Sequence, residues 1–127
     1  MMNRLLIFGF LSGAMVVLLG AFGAHALEPH LIETGRLESY NTAVDYHFFH
    51  TFGIIVIWLT AVLTKNSKLK NAGWLMAGGM VCFSGSLYLL CFTGLKFWVW
   101  ITPIGGVLLV FSWLLAAYLF LKAQKIS

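Results

Sequence analysis

Polar residues gather at a few places along this chain and leave four long apolar runs between them, at about residues 5–24, 46–64, 72–95 and 97–121. None of the four contains Asp, Glu, Lys or Arg. Each approaches the ~20 residues that an α-helix needs to cross the hydrocarbon core of a bilayer. Within that core the backbone must bond to itself, so a helix is the form such a run takes. The pattern predicts an all-α fold, a polytopic membrane four-helix bundle in a single domain.

The segment between the first two runs has a pattern of its own. Glu28-Pro29 suits a helix start, since proline is tolerated in the first turn, and Thr34-Gly35 reads as a break. From Arg36 onward, Leu37, Tyr40, Val44, His47, Thr51 and Ile54 recur at steps of three and four. That period predicts one continuous amphipathic helix running into the second span. Over residues 36–64 it would be roughly 43 Å long, beyond the ~30 Å core, so its first turns project from the membrane or lie on its surface. A short amphipathic helical segment is therefore expected between the first and second spans.

The fourth span is expected to start at Thr102-Pro103, with threonine as N-cap and proline at the first position, giving a span of 102–121. Phe97, Trp98 and Trp100 would then lie at the membrane interface, a depth that suits aromatic rings with a polar edge. The alternative is a helix from Phe97 kinked at Pro103. The first run mimics a signal peptide, with Arg4 before it and Ala24-His25-Ala26 at its end. It is longer than the ~7–15 residues of an ordinary signal h-region, and a retained helix is expected.

Composition supports the membrane reading. Of 127 residues, 61% are hydrophobic and 9% charged, against about 25% charged in a soluble domain. The net charge of +4 forms no nucleic-acid footprint, because Lys65, Lys68 and Lys70 make one cluster and Lys122 and Lys125 another, each beside an apolar run. Such clusters set topology and touch anionic lipid headgroups. The first loop carries Arg36 against Glu28, Glu33, Glu38 and Asp45, and the third loop only Lys96. The positive-inside rule then expects both termini and the 65–70 loop in the cytoplasm, with the α-helical spans in the inner, or plasma, membrane. Cys82 and Cys91 share one run, about 13 Å and half a rotation apart on a helix, so they are read as buried thiols and not as a disulfide.

Small residues mark the helix-packing faces. Gly9 and Gly13 form a GxxxG, extended by Gly20 and Gly23; Gly78, Gly79 and Gly85 lie on the third span, and Gly105 and Gly106 open the fourth. In lipid such residues let backbones approach closely, within one bundle or across a homo-oligomer or partner interface. A faint repeat relates residues 12–21 to 77–86, which hints at a duplicated hairpin.

Histidines carry the sharpest chemical signal. His47 and His50 sit at i and i+3 near one end of the second span, about 5–6 Å apart on one helix face. Tyr40, Asp45 and Tyr46 are close by in sequence, and His25 ends the first span. Antiparallel packing of the first two spans would bring His25 level with the other two. Neutral imidazoles there could ligate a transition metal or haem iron, or relay protons. The bland reading is a hydrogen-bonded network that staples the first loop to the bundle. His30 is expected to be solvated. No GxSxG, HExxH or phosphate loop is present, and no carboxylate or lysine sits mid-span, so neither an enzyme nor an ion-coupled carrier is expected. Ser84, Ser86 and Ser112 lie among small or apolar residues and are expected to bond backbone carbonyls.

The segments GAFGAHAL (20–27), YNTAVDYHFFHTFGI (40–54), FSGSLYLL (83–90) and ITPIGGVLLVFSWLLAA (101–117) together resemble domain-of-unknown-function family 423, the YgdD-like bacterial membrane proteins related to eukaryotic transmembrane protein 256. The resemblance covers nearly the whole chain. It implies a small multi-pass integral membrane protein and brings no reaction with it. Gly20, Gly23, His25, Tyr46, His47 and His50 match its motif positions. The function expected is non-enzymatic binding of membrane lipid, a small apolar ligand or a membrane-protein partner, without a cofactor. A metal or haem site at His25, His47 and His50 is the alternative, and a small channel or carrier between the glycine-rich helices a weaker one.

Overall fold

A computed structural model describes residues 2–126 of the chain. Helix α1 (Met2–Ala24) leads through a two-turn helix α2 (Glu28–Glu33) into α3 (Leu37–Leu63). Helix α4 (Leu69–Thr93) follows, then a 3-10 turn (Lys96–Trp100) and α5 (Ile101–Ile126). Helices α1, α3 and α4 and the segment Lys96–Lys125 are each long and apolar enough to cross a membrane. The bundle therefore has one end carrying α2 and the 3-10 turn, and another carrying the termini and the α3–α4 loop.

Local chemistry explains where the elements stop. Pro29 stands in the first turn of α2, and Thr34 closes it. Gly35 then takes φ +70°, a left-handed conformation in which a Cβ would strain the chain. Helix α3 runs unbroken for 27 residues, as the three- and four-residue period predicts. Helix α4 stops at Gly94, again left-handed at φ +72°. The Arg36 guanidinium lies against Gly94, where a Cβ would be 3.3 Å from Nη2. A cation there suits the negative end of the α4 dipole. At the opposite end Asn66 holds the α3–α4 loop. Its side-chain oxygen accepts from the Lys68 amide at 3.2 Å, and its Nδ2 donates to the Leu119 carbonyl of α5 at 3.1 Å.

The fourth span begins differently from its sequence reading. Thr102 is the second residue of α5 and not its N-cap. Its hydroxyl pairs with Ser86 Oγ at 2.6 Å and reaches back to the Trp98 carbonyl at 3.3 Å, so it ties α5 to α4. The 3-10 turn ahead of it occupies the stretch expected to lie at the interface.

Helices α3 and α4 form the centre, with α1 packed on α3 and α5 packed on α4. Close approach at these contacts depends on glycine. A Cβ on Gly105 would run into the Phe83 backbone, and one on Gly79 would come within 3.0 Å of the Leu109 amide. Gly9 meets Ile55 in the same way, at 2.9 Å. Gly13, Gly20 and Gly106 leave room for ordinary contacts with Thr51, Val44 and the Phe83 ring. Gly78 and Gly85 depart from the packing expectation, because a Cβ on either would meet open space.

Two apolar clusters fill the interior. One contains Leu5, Ile54, Ile57, Leu69, Met76 and Leu109. The other, toward α2, contains Leu31, Tyr40, Ala43, Tyr88 and Cys91. Beside and between them lies a layer of buried polar side chains, including Ser12, His47, Thr51 and Ser84. Outside, Phe10, Leu11, Phe48, Phe52, Val110 and Leu114 stand more than half exposed. An apolar exterior over a partly polar interior suits lipid as the solvent.

Candidate functional site

The polar layer is built around His47, which α3 turns toward α1 and α4. Its Nε2 lies 2.9 Å from Ser12 Oγ of α1, and its Nδ1 3.0 Å from the Tyr88 hydroxyl of α4. Ser12 Oγ lies 2.6 Å from Thr51 Oγ1, and Thr51 donates to the His47 carbonyl at 2.7 Å, one turn back. These contacts fix the protons, since each hydroxyl has a single one to give. Thr51 commits its proton to the carbonyl, so Ser12 donates to Thr51. Ser12 then accepts from His47 Nε2–H, and the bare Nδ1 accepts from Tyr88. The result is a one-way chain, Tyr88 to His47 to Ser12 to Thr51 to the His47 carbonyl, with neutral His47 as the Nε2–H tautomer. The Met80 sulfur sits 3.8 Å from Ser12 Oγ and 3.7 Å from Thr51 Oγ1. Ser84 adds a bond from α4 to the Ala43 carbonyl at 2.8 Å.

His50 faces another neighbour. Its Nδ1 lies 2.8 Å from the Tyr46 carbonyl, and the Trp113 indole Nε1 of α5 donates to its Nε2 at 3.2 Å. An indole nitrogen only donates and a carbonyl only accepts. Neutral His50 is therefore the Nδ1–H tautomer. Tyr46 stacks beside its ring at 5.8 Å and touches Phe83 at 4.5 Å. Gly53, one turn further on, makes room here, because a Cβ would meet Met76 Sδ at 2.7 Å and the Trp113 ring at 3.1 Å.

The expected meeting of three histidines does not occur. His25 is exposed just beyond the end of α1, and His47 and His50 bond to different helices. Among the described residues no group of three or more His, Cys, Asp or Glu side chains is placed to hold a metal ion. His30 and Asp45 are exposed. Tyr40 is buried and donates to the Leu19 carbonyl of α1 at 2.5 Å. Its ring occupies the space a Cβ on Gly23 would need, so the GAFGAHAL segment and Tyr40 interlock. Tyr40 also meets Tyr88 edge-on at 5.5 Å, which joins this contact to the His47 chain. Ser86 and Ser112 bond carbonyls of their own helices, as read from the sequence.

Two open grooves flank these histidines. One, of about 470 Å³, runs between α1 and α4, with Phe8, Leu11 and Met15 on one side, Val81 and Gly85 on the other, and Ser12, His47 and Tyr88 among its lining. The other, of about 610 Å³, runs between α3 and α5, lined by Asp45, Tyr46, Phe49, His50, Val110 and Trp113 among others.

Residues 19–106 match the family described as "Protein of unknown function (DUF423)". The chain is 39% identical to a UPF0382 membrane protein of Haemophilus influenzae over 127 residues, covering 99% of this chain and 100% of the relative. It is 40% identical to the UPF0382 membrane protein YwdK of Bacillus subtilis over 115 residues, covering 90% and 93%. Similarity to the UPF0382 inner membrane protein YgdD of Escherichia coli is 35% over 127 residues, covering 97% and 95%. No solved structure matches the chain significantly.

Proposed function

Since the chain belongs to the DUF423 family and is a multi-pass membrane protein, we propose that it binds an apolar chain drawn from the bilayer, such as a lipid acyl chain, and catalyses no reaction. The binding place is the groove between α1 and α4. The observation that carries this reading is the opening itself: α1 and α4 are each seated on α3 but stay apart beside His47. Its volume of about 470 Å³ falls within the ~300–1,000 Å³ of small-molecule sites. Gly85 keeps its wall low, since a Cβ there meets nothing within 4 Å. The polar floor already satisfies its own hydrogen bonds, so an apolar occupant costs it no desolvation.

Gly85→Leu tests this reading. The new side chain enters the groove without displacing packed atoms, so the protein should keep its helicity and thermal stability. Native mass spectrometry of the purified protein should show one lipid more bound to the wild type than to the variant. Equal lipid retention by both, or a bare wild-type chain, would overturn the reading.

The proposed location is the inner membrane, with both termini and the 65–70 loop in the cytoplasm. The lysines at 65, 68, 70, 122 and 125 favour that orientation under the positive-inside rule. A reporter fused to the C-terminus that is active only in the cytoplasm should be active; an inactive fusion at normal expression would reverse the assignment.

A further inference from the structure

The groove between α3 and α5 carries a feature that the α1–α4 groove lacks, a carboxylate. Asp45 is exposed and lines the groove beside Tyr46, Phe48 and Phe49. Among the described residues Asp45 has no hydrogen-bond or ion-pair partner, and the Tyr46 hydroxyl has none either. Both are spare recognition groups on a face that otherwise contacts lipid tails: Phe49, Phe52 and Val56, which follow Asp45 down this side of α3, are each more than half exposed.

Depth gives the two ends of the groove different roles. Asp45 lies nine residues into the 27-residue α3, and a helix of that length, about 40 Å, exceeds the ~30 Å core by some 10 Å. Asp45 therefore stands near the boundary at the α2 end. His50 and Trp113 lie deeper, His50 by about 7.5 Å along the helix. The groove thus runs from an anionic mouth into an apolar trough walled by Phe49, Leu109, Val110 and Trp113.

We infer that this groove is a binding site for a phospholipid with a primary-ammonium headgroup, such as phosphatidylethanolamine. The ammonium donates to the Asp45 carboxylate, a charge-assisted bond of the stronger kind. The Tyr46 hydroxyl donates to a phosphate oxygen of the same headgroup. One acyl chain follows the trough toward Trp113. A choline headgroup has no N–H to give Asp45, and an anionic glycerol headgroup places no cation there.

The experiment adds phosphatidylethanolamine, phosphatidylcholine and phosphatidylglycerol of identical acyl chains to the purified full-length protein in detergent and counts retained lipid by native mass spectrometry. Phosphatidylethanolamine should be retained about threefold to fivefold over the other two, the range one exposed charge pair supports. Asp45→Asn, which keeps shape and removes charge, should abolish that preference. Glu38→Gln, in the first turn of α3 and outside the groove, should leave it intact. Three results would each overturn the inference: equal retention of the three lipids by the wild type, a preference that survives Asp45→Asn, or one that Glu38→Gln also removes. Gly85→Leu blocks the other groove and should not alter the preference, so failure of either proposal is distinguishable from failure of the other.

Discussion

His47 and His50 stand less than one turn apart on α3 yet carry their ring protons on opposite nitrogens, Nε2 in His47 and Nδ1 in His50. Their partners impose this: His47 accepts from Tyr88 at Nδ1, and His50 accepts from Trp113 at Nε2. Nitrogen-15 NMR of the imidazoles in micelles should show two neutral rings with the protonated nitrogen exchanged between them. Finding both rings in one tautomer would contradict the assigned chain.

Tyr88 is the only donor to His47 Nδ1 among the described residues. Tyr88→Phe leaves that nitrogen unpaired in the core and should destabilise the protein by about 1 kcal/mol, between the ~0.6 kcal/mol average for membrane hydrogen bonds and the cost of an unsatisfied buried group. Combined with His47→Ala, the loss should be smaller than the sum of the two single losses. Additive losses in a denaturation assay would mean that the two side chains act independently.

Gly23 and Tyr40 share one space. Gly23→Ala should cost about 1–3 kcal/mol, the usual range for overpacking, despite alanine's better helix propensity. Tyr40→Leu withdraws the ring and should recover part of that loss in the double variant. A neutral Gly23→Ala in thermal unfolding would show that α1 can move away from α3.

Glycines on α4 and α5 should divide by surroundings. Gly105→Ala drives a methyl into the Phe83 backbone and should separate α5 from α4, lowering the unfolding temperature. Gly78→Ala adds its methyl to open space and should be neutral or stabilising by up to ~1 kcal/mol. Equal effects of the two substitutions would mean that α4 and α5 do not cross as closely as described.

Most of the fold was legible because lipid enforces simple rules on sequence. Charge-free runs of sufficient length gave the spans, and the Leu37 to Ile54 period gave an unbroken α3. Thr34-Gly35 marked its start. Thr102 was misread because a threonine before a proline has the form of an N-cap, whereas its hydroxyl is engaged by Ser86 sixteen residues earlier. The site was legible at one end only. His47 and His50 stood out as imidazoles in an apolar helix, but three residues rotate a helix by about 300°, leaving the rings some 60° apart. That angle sends one toward α1 and α4 and the other toward α5. Their partners, Ser12, Tyr88 and Trp113, are 35, 41 and 63 residues away. Nothing in local spacing connects residues so distant; only the packing of four helices does. The convergence with His25 failed because α1 ends before that residue, which points outward.

The one-way chain through His47 also bears on the membrane around it. A lipid tail lying beside this layer meets hydroxyls and an imidazole that already have partners. Here the last proton in the series comes to rest on the carbonyl of the very residue whose ring relays it, and the first belongs to a buried phenol. The series thus closes on α3 itself, and an apolar neighbour can lie against it without leaving a polar group unpaired.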